Sequence, residues 1–100
     1  MRIIAKRTLR EFWNLNPNYA DSQGPLKAWH EEVLKASWES PQDVKKQFRN
    51  ASILKNSRIV FNIKGNDYRL VVKINYPHKI VYIRFVGTHK QYDVIDVNSI

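Results

Sequence analysis

The stretch VYIRFVGTHKQYDVID, Val81 to Asp96, holds the residues best suited to chemistry. Arg84 interrupts an apolar alternating run, and His89, Lys90 and Tyr92 follow just beyond Gly87 and Thr88. A second arginine, Arg69, stands in YRLVVKIN (Tyr68 to Asn75). Guanidinium groups grip phosphate through a planar fork of donors, and imidazole exchanges protons near neutral pH. Thr88 and Gln91 have the spacing of a capping box, so a helical turn is expected to begin at His89. That turn sets His89 and Tyr92 at i and i+3, on one face. An imidazole, a phenol, the Lys90 ammonium and two guanidinium groups are then expected to meet in one concavity. Taken alone, solvated charges on an exposed strand account for the arginines equally well.

Positioning these groups requires strands. RIVFNI (Arg58 to Ile63) and YRLVVKIN alternate with period two, and KGND between them predicts a hairpin turn with Gly65 and Asn66 at φ > 0. YPHK predicts the next turn, and Lys79 to Val86 the third strand of a meander. Strict alternation sends Leu70, Val72, Ile74, Val81, Ile83 and Phe85 to one face, and Arg69, Lys73, Tyr82 and Arg84 to the other. Upstream, RIIA (Arg2 to Ala5) reads as a short strand. KRTLREFWNLN reads as a helix stopped before Pro17, and NPNYADSQGP as a loop. PLKAWHEEVLKASW reads as a second helix, with His30 on its solvated charged face. SPQDVKKQF reads as a third, with Ser40 as N-cap, Pro41 at N1 and Asp43 at N3. The expected class is α+β, with helices covering the apolar face of a mostly antiparallel sheet.

Seventeen Lys and Arg against nine Asp and Glu give a formal charge of +8 over 100 residues. One domain, residues 1–100, is the expectation at this length. A domain this basic is drawn to polyanions, nucleic acid first. Cysteine is absent, which removes disulfides and thiolate metal sites and suits a reducing cytoplasm. The three scattered histidines form no metal-ligand spacing, so neither metal nor cofactor is expected. No apolar run reaches membrane-spanning length, and MRIIAKRTL lacks the apolar core of a signal peptide, so no leader is expected.

RIVFNIKGNDYRLVVKINYPHKIVYIRFVGTHKQYDVID, with DVKKQFRNASILKNSR before it, resembles the HigB-type toxins of bacterial toxin–antitoxin systems, within the RelE/ParE superfamily. The resemblance is strong from Asp43 to Asp96 and loose over the N-terminal helices. It implies a RelE-like fold and an mRNA interferase, a ribonuclease that cuts messenger RNA, typically on the translating ribosome. It further implies a helix-turn-helix antitoxin of the HigA type, and it aligns Arg69, Arg84, His89 and Tyr92 with the family's active-site positions.

RNA carries its own nucleophile, the 2′-hydroxyl, so such an enzyme needs proton transfer and charge compensation rather than a metal. His89 is the candidate general acid or base, and Tyr92 its partner or the second proton-transfer group. Arg69 and Arg84 are the candidate phosphate clamps. Lys73 and Lys90 add positive field, and Tyr82 offers a ring on which a base can stack. Two other functions fit the same sequence. One is a non-catalytic toxin of the ParE type that inhibits DNA gyrase, which would need no proton-transfer group. The other is a plain RNA-binding module, which lacks the expected aromatic or GXXG signatures.

Overall fold

Leu9, Phe12 and Trp13 give one helix an apolar stripe, and Leu26, Trp29 and Val33 give a second. Each stripe must be covered, and a five-stranded sheet covers both. The computed structural model describes Met1 to Ile100. The chain runs β1 (Arg2–Ile4), α1 (Lys6–Leu15), a 3₁₀ segment (Pro17–Ser22), α2 (Gln23–Leu34), α3 (Pro41–Gln47) and β2 (Ser52–Ile53). It continues through β3 (Arg58–Ile63), β4 (Tyr68–Asn75), β5 (Ile80–Thr88) and α4 (His89–Asp93). The sheet order is β1-β5-β4-β3-β2; only the β1–β5 pair is parallel. This is the expected α+β architecture. No helix is long and apolar enough to cross a membrane.

The main core lies between the sheet and α1–α3. Phe61 is its centre: Trp29, Trp38 and Phe48 surround it with ring centroids 5.4, 6.3 and 5.0 Å away. Removing a ring from such a site typically costs about 3–5 kcal/mol. The three tryptophans are therefore core residues, each no more than 6% exposed.

The structure departs from the sequence reading at several places. NPNYADSQGP is not an open loop. Asn16 Oδ1 accepts the Asn18 N–H, the Ser22 hydroxyl donates to Tyr19 O, and a 3₁₀ segment leads straight into α2. That helix stops at Leu34, and Trp38 packs from the connection after it. Ser40 occupies the N-cap position of α3 without a side-chain cap bond; the Asp43 carboxylate instead accepts the Glu39 N–H at 2.9 Å. In the KGND turn, Lys64 (φ 52°) and Gly65 (φ 63°) take the left-handed conformation, not Asn66. His30 is buried against the core, 8% exposed, instead of solvated.

Candidate active site

The third meander strand carries a bulge that decides where every later side chain points. Val72 pairs with Ile83 and Val71 with Phe85, so Arg84 is the extra residue on β5. A bulge of this kind re-aims the strand beyond it. Val81 and Ile83 face the helices with Ile74 and Val72, as alternation predicts. Past Arg84 the phase flips. Phe85 shares the second face with Val71, and Val86 turns to the helix side, where it packs against the main core. The expectation that Phe85 lies beneath the helices is thus corrected: one inserted residue shifts the period of two.

The second face has its own small core. Val60 and Val71 are buried there, opposite each other on β3 and β4. Their cover is the C-terminal segment. Tyr92 meets Phe85 at 6.5 Å, and Tyr92, Ile95, Val97 and Ile100 are half-buried. The Arg58 guanidinium holds Ile100 O with bonds of 2.9 and 2.6 Å. The segment therefore leaves β5, crosses β4 and ends over β3. The part of this face beside Arg84 stays open.

That open part is a basic depression. Lys73, Tyr82 and Arg84 line it with Ser57, Asn75 and Tyr76. Arg84 is exposed and its Cζ sits 5.7 Å from the Tyr82 ring centroid, within cation–π range. Both of its forks remain available to a phosphate.

His89 belongs to a second depression, at the far end of β5. Asn66, Asp67, Tyr68, Thr88 and Lys90 line it beside Asn18 and Tyr19. The turn that presents His89 is tightly specified. Thr88 Oγ1 accepts the Gln91 N–H at 3.1 Å and Gln91 Oε1 accepts the Thr88 N–H at 2.8 Å, completing the expected capping box. The His89 N–H donates to Asp67 O at 3.1 Å, and Gln91 Nε2 donates to the Tyr19 hydroxyl at 3.1 Å. Gly87 is closely packed: a Cβ there would lie 2.6 Å from Phe85 Cζ and 2.7 Å from Gln91 Oε1, so these side-chain ends would have to move.

One helical turn on, Asp93 Oδ2 lies 3.0 Å from His89 Nδ1. A carboxylate only accepts, so a small rotation of either side chain would let Nδ1 donate to Asp93 and leave Nε2 facing solvent. Sequence reasoning missed Asp93, although its i+4 spacing from His89 was the signal. It also missed a polar network that reaches this depression through Tyr68. The Tyr68 hydroxyl donates to the Asp21 carboxylate, and Lys64 Nζ binds the same carboxylate at 2.6 Å. Burial, then the bond to Asp21, pushes the Tyr68 phenol up to about 12, so it stays protonated at neutral pH. The Lys64 hydrogen bond, then that of Tyr68, holds Asp21 below the usual carboxylate range.

The seven candidate residues therefore divide. Lys73, Tyr82 and Arg84 share one depression; His89 and Lys90 share the other. Arg69 lies between them. It pairs with Gly87, and its Nη1 donates to Asn66 O at 3.0 Å, on the rim of the His89 depression. Tyr92 sits under the C-terminal segment against Phe85. The single concavity expected from the sequence is two because four strand residues, Phe85 to Thr88, lie between Arg84 and His89, about 16 Å over the five rises at ~3.3 Å each.

The sequence profile of the HigB toxin family, described as the RelE-like toxic component of a toxin-antitoxin system, matches residues 22–95. The chain is similar to the mRNA interferase toxin HigB of Escherichia coli K12, with 28% identity over 95 residues, covering 93% of this chain and 88% of the relative. It is also similar to the mRNA interferase HigB of Escherichia coli O6:H1 strain CFT073, at 25% identity over 95 residues, covering 93% and 89%.

Proposed function

Since this chain belongs to the HigB family, the RelE-like toxic component of toxin–antitoxin systems, we propose that it is an endoribonuclease toxin that cuts messenger RNA. The observation that carries this reading is the His89–Asp93 pair, 3.0 Å apart, at the end of the strand bearing the basic face. A gyrase inhibitor of the ParE type has no use for an oriented imidazole. The site of action is the translating ribosome in the cytoplasm, and the neutralising partner is a helix-turn-helix antitoxin of the HigA type.

In the reaction the RNA 2′-hydroxyl loses its proton and its oxygen bonds to the adjacent phosphorus. The P–O5′ bond breaks and O5′ takes a proton, leaving a 2′,3′-cyclic phosphate and a 5′-hydroxyl. His89 Nε2 transfers one of these protons, and Asp93 holds the ring in the required tautomer. Arg69, paired with Gly87 two residues before His89, compensates charge on the scissile phosphate. A preorganised donor of this kind contributes about 3–4 kcal/mol. Arg84 and Lys73 hold the flanking backbone, Tyr82 stacks on a base, and Lys90 adds field at His89. Tyr92 supports the turn through Phe85 and is the second proton-transfer candidate.

The deciding experiment maps mRNA ends after induction of the wild type and of His89→Gln. Internal cuts ending in 2′,3′-cyclic phosphate in the wild type, lost in the variant, support the assignment. Absence of new ends in a cell whose growth the wild type arrests would overturn the nuclease reading.

A further inference from the structure

β2 is two residues long and closes one edge of the sheet. Its hydrogen-bond phase follows from its register: Ser52 opposes Val60, Ile53 opposes Ile59, and the Leu54 N–H donates to Arg58 O at 2.9 Å. Opposed pairs in an antiparallel ladder alternate between bonded and non-bonded. Leu54–Arg58 and Ser52–Val60 are the bonded pairs, so the Ile53 N–H and C=O point outward from the open edge. The Ile53 side chain is 44% exposed beside them.

Next to this edge, α3 supplies a basic wall. Gln42, Lys45, Lys46, Arg49 and Ile53 line a shallow depression between α3 and β2. From Val44 to Arg58 the chain has five basic residues, Lys45, Lys46, Arg49, Lys55 and Arg58, and no acid. Lys45 is committed to Ala51 O and Arg58 to Ile100 O. Lys46, Arg49 and Lys55 make no ion pair within the chain.

We propose that the α3–β2 edge is a docking surface for an acidic, extended segment of the antitoxin, which adds a strand to β2 at Ile53 and sets its carboxylates against Lys46 and Arg49. Strand addition uses main-chain bonds for affinity and flanking side chains for choice of partner. A nucleic acid would answer the cations but offers no peptide ladder to match the outward groups of Ile53. The proposal rests on the toxin–antitoxin reading for the identity of its partner. Three strand spacings, about 14 Å, separate β2 from β5, so a segment held at this edge leaves His89 uncovered.

The test uses the full chain and its cognate antitoxin. Complex formation should slow amide exchange at Ile53 at least tenfold. The Lys46→Glu/Arg49→Glu double variant should bind the antitoxin at least tenfold more weakly, yet cleave mRNA at the wild-type rate when free. Ile53→Pro removes the outward N–H without touching a bond to β3 and should weaken binding similarly. If that variant misfolds, the charge reversal still decides. A complex of undiminished affinity in the double variant, with Ile53 exchange unchanged in the wild-type complex, overturns the docking site and leaves the toxin–antitoxin reading standing. Slowed exchange with an RNA oligonucleotide in place of the antitoxin assigns the edge to nucleic acid and overturns it as well. Failure of wild-type chain and antitoxin to associate at all overturns the partnership itself, and the docking with it.

Discussion

His89 Nδ1 and Asp93 Oδ2 lie 3.0 Å apart across one turn of a five-residue helix. The pair sets a carboxylate beside Nδ1 of an imidazole on a solvent-facing surface. His89→Gln should keep RNA affinity and lose about 10²–10⁴ in single-turnover cleavage, the range of a general acid or base. Asp93→Asn should lower kcat by less than His89→Gln, leave KM unchanged, and be partly rescued in Asp93→Glu. Equal losses in the Asn and Glu variants, with a lowered melting temperature, would make Asp93 a structural residue only.

The two arginines should separate. Arg69 stands beside the His89 depression, and Arg84 lines the other with Lys73. Arg69→Lys keeps the charge and loses the planar fork, so its cost should fall on kcat. Arg84→Ala should raise KM and flatten the dependence of RNA affinity on salt, because a phosphate contact and its released counterion are lost. Melting temperature should stay near wild type, since Arg84 is exposed. Titrations at several salt concentrations, with single-turnover cleavage, resolve these effects.

Gly87→Ala should destabilise the fold and the site together. The new methyl meets Phe85 and Gln91, so the Phe85 ring or the capping box must yield. Overpacking of this kind costs about 1–3 kcal/mol. Denaturant unfolding reads the loss, and Gln91→Ala combined with Gly87→Ala should recover part of it by removing one of the two obstructions.

The limits of β3 and β4 are legible because period-two alternation is bounded by KGND and YPHK, both strong turn signals. The capping box at Thr88 is equally legible, since its two side chains satisfy two named backbone groups. The bulge at Arg84 is not: a residue inserted into one strand leaves no composition signal, yet it moves Phe85 to the opposite face. Nor is β2, which has too few residues to show a period. The i+4 relation of His89 and Asp93 becomes meaningful only once α4 is known to reach Asp93. Capping announces where that helix starts, and nothing announces its length. Arg84 lay on the expected face, but its distance from His89 depends on strand rise, and side-chain type alone hides that.

His30 should make the fold acid-sensitive above the range where carboxylates titrate. It lies on α2, 8% exposed. Burial, and then the charge of Lys6, depress its pKa below the ordinary 6.5; Glu31 opposes weakly. A depressed base favours the neutral form in the folded state, so its contribution is complete above the unfolded value. As pH falls through 6.5 the unfolded chain binds a proton that the folded chain resists, and stability drops until the folded value is passed. Glutamine at this position cannot titrate, so His30→Gln should lose less stability than the wild type between pH 7.5 and 5.5. Aspartate and glutamate contribute mainly below about pH 5; the Met1 ammonium, held below its ordinary value by burial and then by Lys79, also titrates in this window but does so equally in both proteins, so the difference between them reports His30. Melting curves of both proteins across the window provide the measurement. Parallel curves would remove His30 as the cause.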